Sequence, residues 1–153
     1  MYYDTKYSWL RLLVSLIIAT IGNVGMWAII IIMPSVEVEF GINRNISSTP
    51  YAMTMVGFAF GNIFFGKLVD KYGIVIVLFF SSILCSSCYF FSTMTESIIL
   101  FSIIHFFLGL GSSASFGPLI ADISLWFKKR RGLAVSIAAS GNYLSGAIWP
   151  LIL

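Results

Sequence analysis

A short charged turn holds the most specific arrangement of ionisable residues in the chain. It reads Gly66-Lys67-Leu68-Val69-Asp70-Lys71-Tyr72-Gly73 and joins two long apolar runs. Its glycines allow a tight turn and a close approach of two backbones. Asp70 precedes the next run, where the positive end of a helix dipole stabilises a carboxylate. A solvated acid without a role is the alternative interpretation of Asp70.

A second charged group follows the fourth apolar run. Asp122 lies about one helical turn before Trp126, and a basic run with a terminal glycine comes next: Lys128, Lys129, Arg130, Arg131 and Gly132. An ionised Asp near a membrane boundary is costly unless a cation is close. We therefore expect a structural ion pair at Asp122, with proton coupling as the alternative.

Polar and aromatic side chains inside the apolar runs are candidates for lining a solute cavity. Amide and indole groups offer neutral donors and a flat apolar wall, which suits a carboxylate with a short carbon chain. Hydrogen bonding between helices, or from a neutral imidazole to a neighbouring helix, is the alternative role. The candidates are Asn23, Trp27, His105, Ser112, Phe116, Asn142 and Trp149.

Chemistry of other kinds is not predicted. Cys85 and Cys88 form a C-x-x-C inside an apolar run, where buried thiols are inert, so packing is the expected role. The pattern contains no nucleophile–base pair, phosphate loop or metal-ligand cluster. We expect neither an enzyme nor a metal, a cofactor or a nucleic-acid partner.

The elements that must position these residues are membrane spans. The 153 residues are 59% hydrophobic and 10% charged, whereas a soluble domain carries about 25% charged residues. About 20 helical residues cover the roughly 30 Å hydrocarbon core, and lipid requires the spans to be helices. The sequence predicts an all-α membrane protein with five transmembrane helices, at about residues 9–33, 50–69, 74–94, 97–126 and 133–153.

Lysine and arginine predict the orientation. With the N-terminus in the cytoplasm, eight of the nine basic residues lie inside and Arg44 alone lies outside, as the positive-inside rule requires. The basic run also predicts attraction to anionic membrane lipid, at about 1 kcal/mol per residue. We expect a multi-pass protein of the plasma or inner membrane.

Two spans are interrupted at matching depths. The first contains Gly22-Asn23-Val24-Gly25, and the fourth contains Gly109 to Ser113 and then Gly117-Pro118. Paired interruptions predict two three-helix repeats and a transporter site near the membrane midplane. Close helix packing through small residues is the alternative.

The charged turn resembles the signature turn of the major facilitator superfamily, between its second and third helices. This resemblance implies a gating role for Gly66, Asp70, Lys71 and Gly73. The family pattern continues with basic residues where this chain has Ile74 and Val75. The family's acid near the end of the fourth helix corresponds to Asp122, whose partner would then be Lys71 or one of Lys128–Arg131.

A second resemblance is narrower. Trp126 to Ala134, and Phe40-Gly41-Ile42-x-Arg44, are similar to the oxalate/formate antiporter and monocarboxylate porter group. The resemblance implies alternating-access transport of a small organic anion, by antiport or with protons. Family members have twelve helices in two halves, so the implied partners are a small-molecule solute and a missing C-terminal half. The alternatives are another solute (a drug, a sugar or a metabolite), or a non-transporting five-span partner or scaffold protein.

Overall fold

The computed structural model describes residues 3–153, which form α-helices joined by short connections. No strand occurs in this part of the chain. The helices are α1 (Lys6–Gly22), α2 (Val24–Phe40), α3 (Arg44–Ser47), α4 (Thr49–Tyr72), α5 (Ile74–Ser92), α6 (Ile98–Ser112), α7 (Gly117–Ser124) and α8 (Arg131–Ile152), with one 3₁₀ turn at Ser113–Ser115.

Within residues 3–153, four stretches are long and apolar enough to cross a membrane. They are Lys6–Phe40, Arg44–Tyr72, Ile74–Ser92 and Ile98–Ser124, which we call the first to fourth spans. Helix α8 has 22 residues but is not among them, because Ser, Gly and Asn residues dilute its apolar side chains. It corresponds to the predicted fifth span.

The first span is longer than predicted. It bends where α1 meets α2 at Asn23 and does not end at Pro34, which lies inside α2. Helix α2 continues to Phe40 and ends at Gly41, whose φ of 61° is left-handed. The predicted end of the first span at about residue 33, just before Pro34, was wrong because a membrane helix can accommodate a proline when its freed backbone groups find partners.

The fourth span is the centre of the bundle. In its most apolar stretch 56% of the residues are buried, against 22–33% in the other three spans. It packs closely on α4 through glycines: a Cβ on Gly57 would collide with the Phe106 carbonyl, and one on Gly109 with the Thr54 carbonyl. Backbone meets backbone here, which makes these glycines structurally necessary.

One end of the bundle collects the positive charge. The starts of α1, α5 and α8 and the ends of α4 and α7 lie there, and with them eight of the nine basic residues. We call it the basic end. Beneath it a buried cluster joins three helices and contains Leu12, Ile123, Phe127, Ala134 and Ala138. Which side of the membrane the basic end faces stays a prediction.

Candidate functional site

The two interrupted spans touch each other at their interruptions. A Cβ on Gly22 would overlap the Ser115 side chain, and one on Gly25 would lie 2.7 Å from Ser112 Oγ. Asn23 ends α1 beside this contact, and the 3₁₀ turn separates α6 from α7. Both breaks lie about half-way along their spans, so they form one junction, which we call the break junction.

An aromatic and amide surface lies next to the break junction, on α4. The rings of Phe58 and Phe116 are 5.7 Å apart. Asn62 Oδ1 accepts a hydrogen bond from the backbone N–H of Gly117 at 3.1 Å, and its Nδ2 donates to the Phe58 carbonyl. Asn62 therefore satisfies the start of α7, where the 3₁₀ turn leaves backbone donors free.

Two indoles tie the first span to α8. Trp27 Nε1 donates to the Asn142 carbonyl at 3.0 Å, and Trp149 Nε1 donates to the Thr20 carbonyl at 3.0 Å. The ring of Trp27 lies on Gly146, where a Cβ would be 2.8 Å from it. Three of the predicted cavity residues, Trp27, Asn142 and Trp149, are thus held in contacts between helices.

Two polar side chains lie fully buried on the same interface. Asn23 and Ser145 are both 0% exposed. Asn23 Nδ2 donates to the Ala19 carbonyl, but Asn23 Oδ1 and Ser145 Oγ have no partner among the described residues. A buried polar atom without a partner is uncommon and marks a polar site within the bundle.

Of the three candidates on the fourth span, only Ser112 lines the cavity that lies between the break junction and α5. His105 is 4% exposed, and its Nδ1 lies 2.8 Å from the Phe101 carbonyl of its own helix, so its contact is not to a neighbouring helix. Phe116 follows the 3₁₀ turn and points to α4. The 3₁₀ turn at Ser113–Ser115 changes the helical register, so Ser112 lies on the cavity and Phe116 packs on Phe58 of α4.

A cavity of about 470 Å³ lies between the break junction and α5. Its α5 side was not predicted to be functional and carries hydroxyl and thiol groups at helical spacing. A serine and cysteine stripe at i, i+4 on the third span is the sequence signal that could have indicated it. The polar lining residues of the cavity are Ser81, Ser82, Cys85, Ser86, Tyr89, Ser112 and Ser115.

The ion pair of Asp122 is made with a different residue from those predicted. Arg11 Nη2 lies 2.9 Å from Asp122 Oδ2, and its Nε also donates to that oxygen. The Arg11 guanidinium lies 4.5 Å from the centre of the Trp126 ring. Because α1 runs beside α7, Arg11 reaches Asp122 from within the bundle. The prediction of Lys71 or Lys128–Arg131 as the partner was therefore wrong.

The basic run binds a different acid, Asp4, through its backbone N–H groups. The carboxylate of Asp4 accepts hydrogen bonds from the backbone N–H groups of Lys128, Lys129 and Arg130 at 3.1, 3.0 and 3.2 Å. These bonds, chiefly that from Lys129, hold the pKa of the Asp4 carboxyl below its ordinary value of 3.8. Lys128, Lys129, Arg130 and Arg131 are exposed.

The charged turn is open to its surroundings. Gly73 has a φ of 82°, which only glycine adopts readily. Cβ atoms on Gly66 or Gly132 would meet nothing within 4 Å. The predicted close backbone approach at Gly66 is therefore absent from the described structure. Asp70 lies in the last turn of α4, and not at the start of α5, so the predicted stabilisation of its carboxylate at a helix start was wrong. Asp70 and Lys71 are exposed, and the ammonium of Lys71 lies 5.0 Å from the centre of the Tyr72 ring.

A profile of the Major Facilitator Superfamily matches residues 15–153. The chain belongs to the Major Facilitator Superfamily. Together with the four spans, membership makes the chain a multi-pass integral membrane protein.

Three similar proteins from fungi show the range of the likeness. The agnestins efflux protein AgnL12 of Paecilomyces divaricatus is 38% identical over 89 residues, which are 58% of this chain and 21% of that protein. The MFS-type transporter pytF of Aspergillus terreus is 34% identical over 94 residues, 61% of this chain and 32% of that protein. The fujikurins efflux protein of Gibberella fujikuroi is 41% identical over 44 residues, 29% of this chain and 10% of that protein.

The matched region of this Major Facilitator chain spans between about a tenth and a third of the length of these relatives. None of the three carries the name of an oxalate, formate or monocarboxylate porter. The narrower group therefore stays a prediction.

Proposed function

We propose that this chain is part of a transporter that exports an organic solute through alternating access. The observation that carries the proposal is the break junction, where the first and fourth spans cross at their interruptions, Gly22 against Ser115 and Gly25 against Ser112. Broken helices that meet half-way through the bundle are the usual construction of a transporter's substrate site. The names of two relatives, both efflux proteins, support the outward direction.

The solute predicted from sequence is a small carboxylate-like anion, moved by antiport or with protons. Asn142 supports this, because its Nδ2 group makes no hydrogen bond within residues 3–153 and can donate to a carboxylate. Arg11 is the basic residue whose side chain points into the bundle, and Asp122 already neutralises its charge. The second half of the transporter would have to supply further positive charge for an anion.

A larger aromatic metabolite is the second candidate. The Phe58–Phe116 pair and the Trp27 ring form apolar walls next to the break junction. Flat rings favour offset stacking with an aromatic solute. The efflux names of the relatives fit this candidate as well as the first.

Accumulation assays on cells that express the complete reading frame test both candidates. Export predicts that expressing cells retain less of a labelled substrate than cells with an empty vector. Labelled small carboxylates and a fluorescent aromatic acid or phenol separate the two solute classes. Equal retention of every compound would favour the non-transporting alternative.

Two variants connect the assay to the site. Phe116→Ala should slow aromatic export by about two- to tenfold, because an aromatic contact is worth about 0.5–1.5 kcal/mol. Asn142→Ala should slow carboxylate export more than aromatic export. Phe91→Ala, an exposed ring at the end of α5, is the matched control and should change neither rate.

A further inference from the structure

The segment before and at the start of α1 is attached to the connection between α7 and α8. Asp4 is the outermost contact: its carboxylate accepts three successive backbone N–H groups, and its own N–H donates to the Trp126 carbonyl at 3.2 Å. Successive backbone N–H groups that converge on one anion form a nest. Here the anion comes from the same chain.

The attachment continues along the first two turns of α1. Thr5 Oγ1 accepts from the Ser8 N–H and so caps the helix. The Tyr7 ring is 5.5 Å from Trp126, and the Trp9 ring is 5.2 Å from Phe127 in an edge-to-face arrangement. Every second or third residue from Asp4 onward therefore contacts the connection or α7.

Arg11 closes the series inside the bundle. It pairs with Asp122 and lies over the Trp126 ring. Trp126 therefore contacts both Tyr7 and Arg11. The Arg11–Asp122 bond is part-buried and Trp9 packs on the buried Phe127 ring, whereas Tyr7 is exposed and so are the hydrogen bonds of Asp4. Because exposed hydrogen bonds open more readily than buried ones, we expect the Asp4 end of this series to open before the Arg11 end.

The backbone of Asp4 also differs from its neighbours. Its φ is 55°, a left-handed conformation that is uncommon for a residue with a side chain and that Asp tolerates better than most. The three hydrogen bonds hold Asp4 in this conformation.

We propose that residues 4–11 form a strap that binds the α7–α8 connection to the first span, so that the basic ends of α1, α7 and α8 move as one unit with Asp4 as the releasable end. The proposal does not depend on the solute or on the direction of transport. It gives the N-terminal segment a conformational role.

Hydrogen–deuterium exchange resolved to single amides tests the strap in the purified full-length protein. In Asp4→Ala we expect the N–H groups of Lys128, Lys129 and Arg130 to exchange at least about tenfold faster, since hydrogen bonds to charged acceptors are the stronger class. The first turn of α1 should also exchange faster. Amides in the middle of α4 should not change and report that the fold is intact.

Two matched variants distinguish a backbone nest from simple charge attraction. Lys129→Ala removes a positive charge but keeps the N–H, so protection should stay within about threefold of wild type. Glu39→Gln removes an exposed acid at the opposite end of the bundle and should have no effect at the nest.

Three results would overturn the proposal. The first is equal exchange of the three amides in wild type and Asp4→Ala. The second is loss of protection in Lys129→Ala as large as in Asp4→Ala. The third is acceleration confined to the three amides, which would reduce Asp4 to a local cap. If Asp4→Ala also loosens α4, Asp4→Asn replaces it, and full protection of all three amides in that variant would overturn the strap.

Discussion

At the scale of single residues, the pairing of Arg11 with Asp122 decides how charge is tolerated inside the bundle. The two side chains are 24% and 14% exposed, so both ions have lost most of their water. Burying one ion without its partner is more costly than burying the pair, because the attraction no longer offsets the lost hydration. The stability of the basic end should depend on keeping both ions or neither.

We therefore predict that Asp122→Asn lowers the free energy of unfolding by about 1–3 kcal/mol. The double variant Arg11→Gln with Asp122→Asn should recover most of this loss. Thermal unfolding in detergent, followed by tryptophan fluorescence, measures both changes. Asp70→Asn, at an exposed acid, is the matched control and should leave the unfolding temperature unchanged. Additive effects in the double variant would show that the two residues are not coupled.

The pH response of Asp4 also belongs to this scale. Because its pKa is lowered in the folded protein, its stabilising contact is fully present above the ordinary pKa of 3.8 and is lost as pH falls through the lowered folded value. Protection of the Lys128–Arg130 amides, corrected for the intrinsic exchange rate, should be constant from about pH 7 to pH 5 and fall only in stronger acid. A loss near neutral pH would point to another titrating group.

At the scale of elements, α4 and the fourth span pack through three glycines, at which a Cβ would meet backbone or a short side chain. They are Gly57, Gly61 and Gly109. A helix cannot move aside locally when the obstacle is another helix's backbone. The same helix α4 carries Gly66, which faces open space. Replacing glycine by alanine should therefore have opposite effects on stability at Gly57 and at Gly66.

Gly57→Ala should destabilise the protein by at least about 2 kcal/mol, since overpacking against a backbone forces the helices apart. Gly66→Ala should be neutral or stabilise by about 0.5–1 kcal/mol, because alanine favours a helix over glycine. The unfolding midpoints of both variants in one detergent decide the matter. Equal effects at the two positions would contradict the described packing.

The elements were largely predictable, and the reasons for the failures are local. Hydropathy predicts spans because lipid forces backbone hydrogen bonds into helices, and the helices begin and end within a few residues of the predicted bounds in most cases. Pro34 misled the prediction because the rule for proline comes from water-exposed helices. The interruptions at Asn23 and Ser113–Phe116 were found from their glycines, but their contact with each other depends on helix packing that no local pattern contains.

Side-chain partners were less predictable than spans. Arg11 was the missed partner of Asp122, although a lone Arg in one span and a lone Asp in another are complementary signals. Trp27, Asn142 and Trp149 were predicted as functional candidates because they are polar or aromatic residues inside apolar runs. That each one bonds to another helix follows only from the crossing of α1, α2 and α8.

At the scale of the whole molecule, the gathering of eight basic residues at one end should fix its orientation. Lys129→Cys should react with a membrane-impermeant maleimide only when the cytoplasmic side is accessible. Glu39→Cys, at the opposite end, should react from outside. Within these 153 residues the native thiols are a minor background, since Cys88 is buried and Cys85 is partly buried. The reverse labelling pattern would invert the predicted topology.

The Arg11–Asp122 pair also has a consequence for the synthesis and membrane insertion of the protein. Its two members are 111 positions apart, so at synthesis rates of about 5–20 residues per second the acid emerges roughly 6–22 s after the arginine. During that interval the first span must enter the bilayer with an uncompensated cation, which its long side chain can hold at the headgroups. Only the arrival of the fourth span allows Arg11 to turn inward. The first helix is made first, but we expect it to reach its final packed position late in biogenesis.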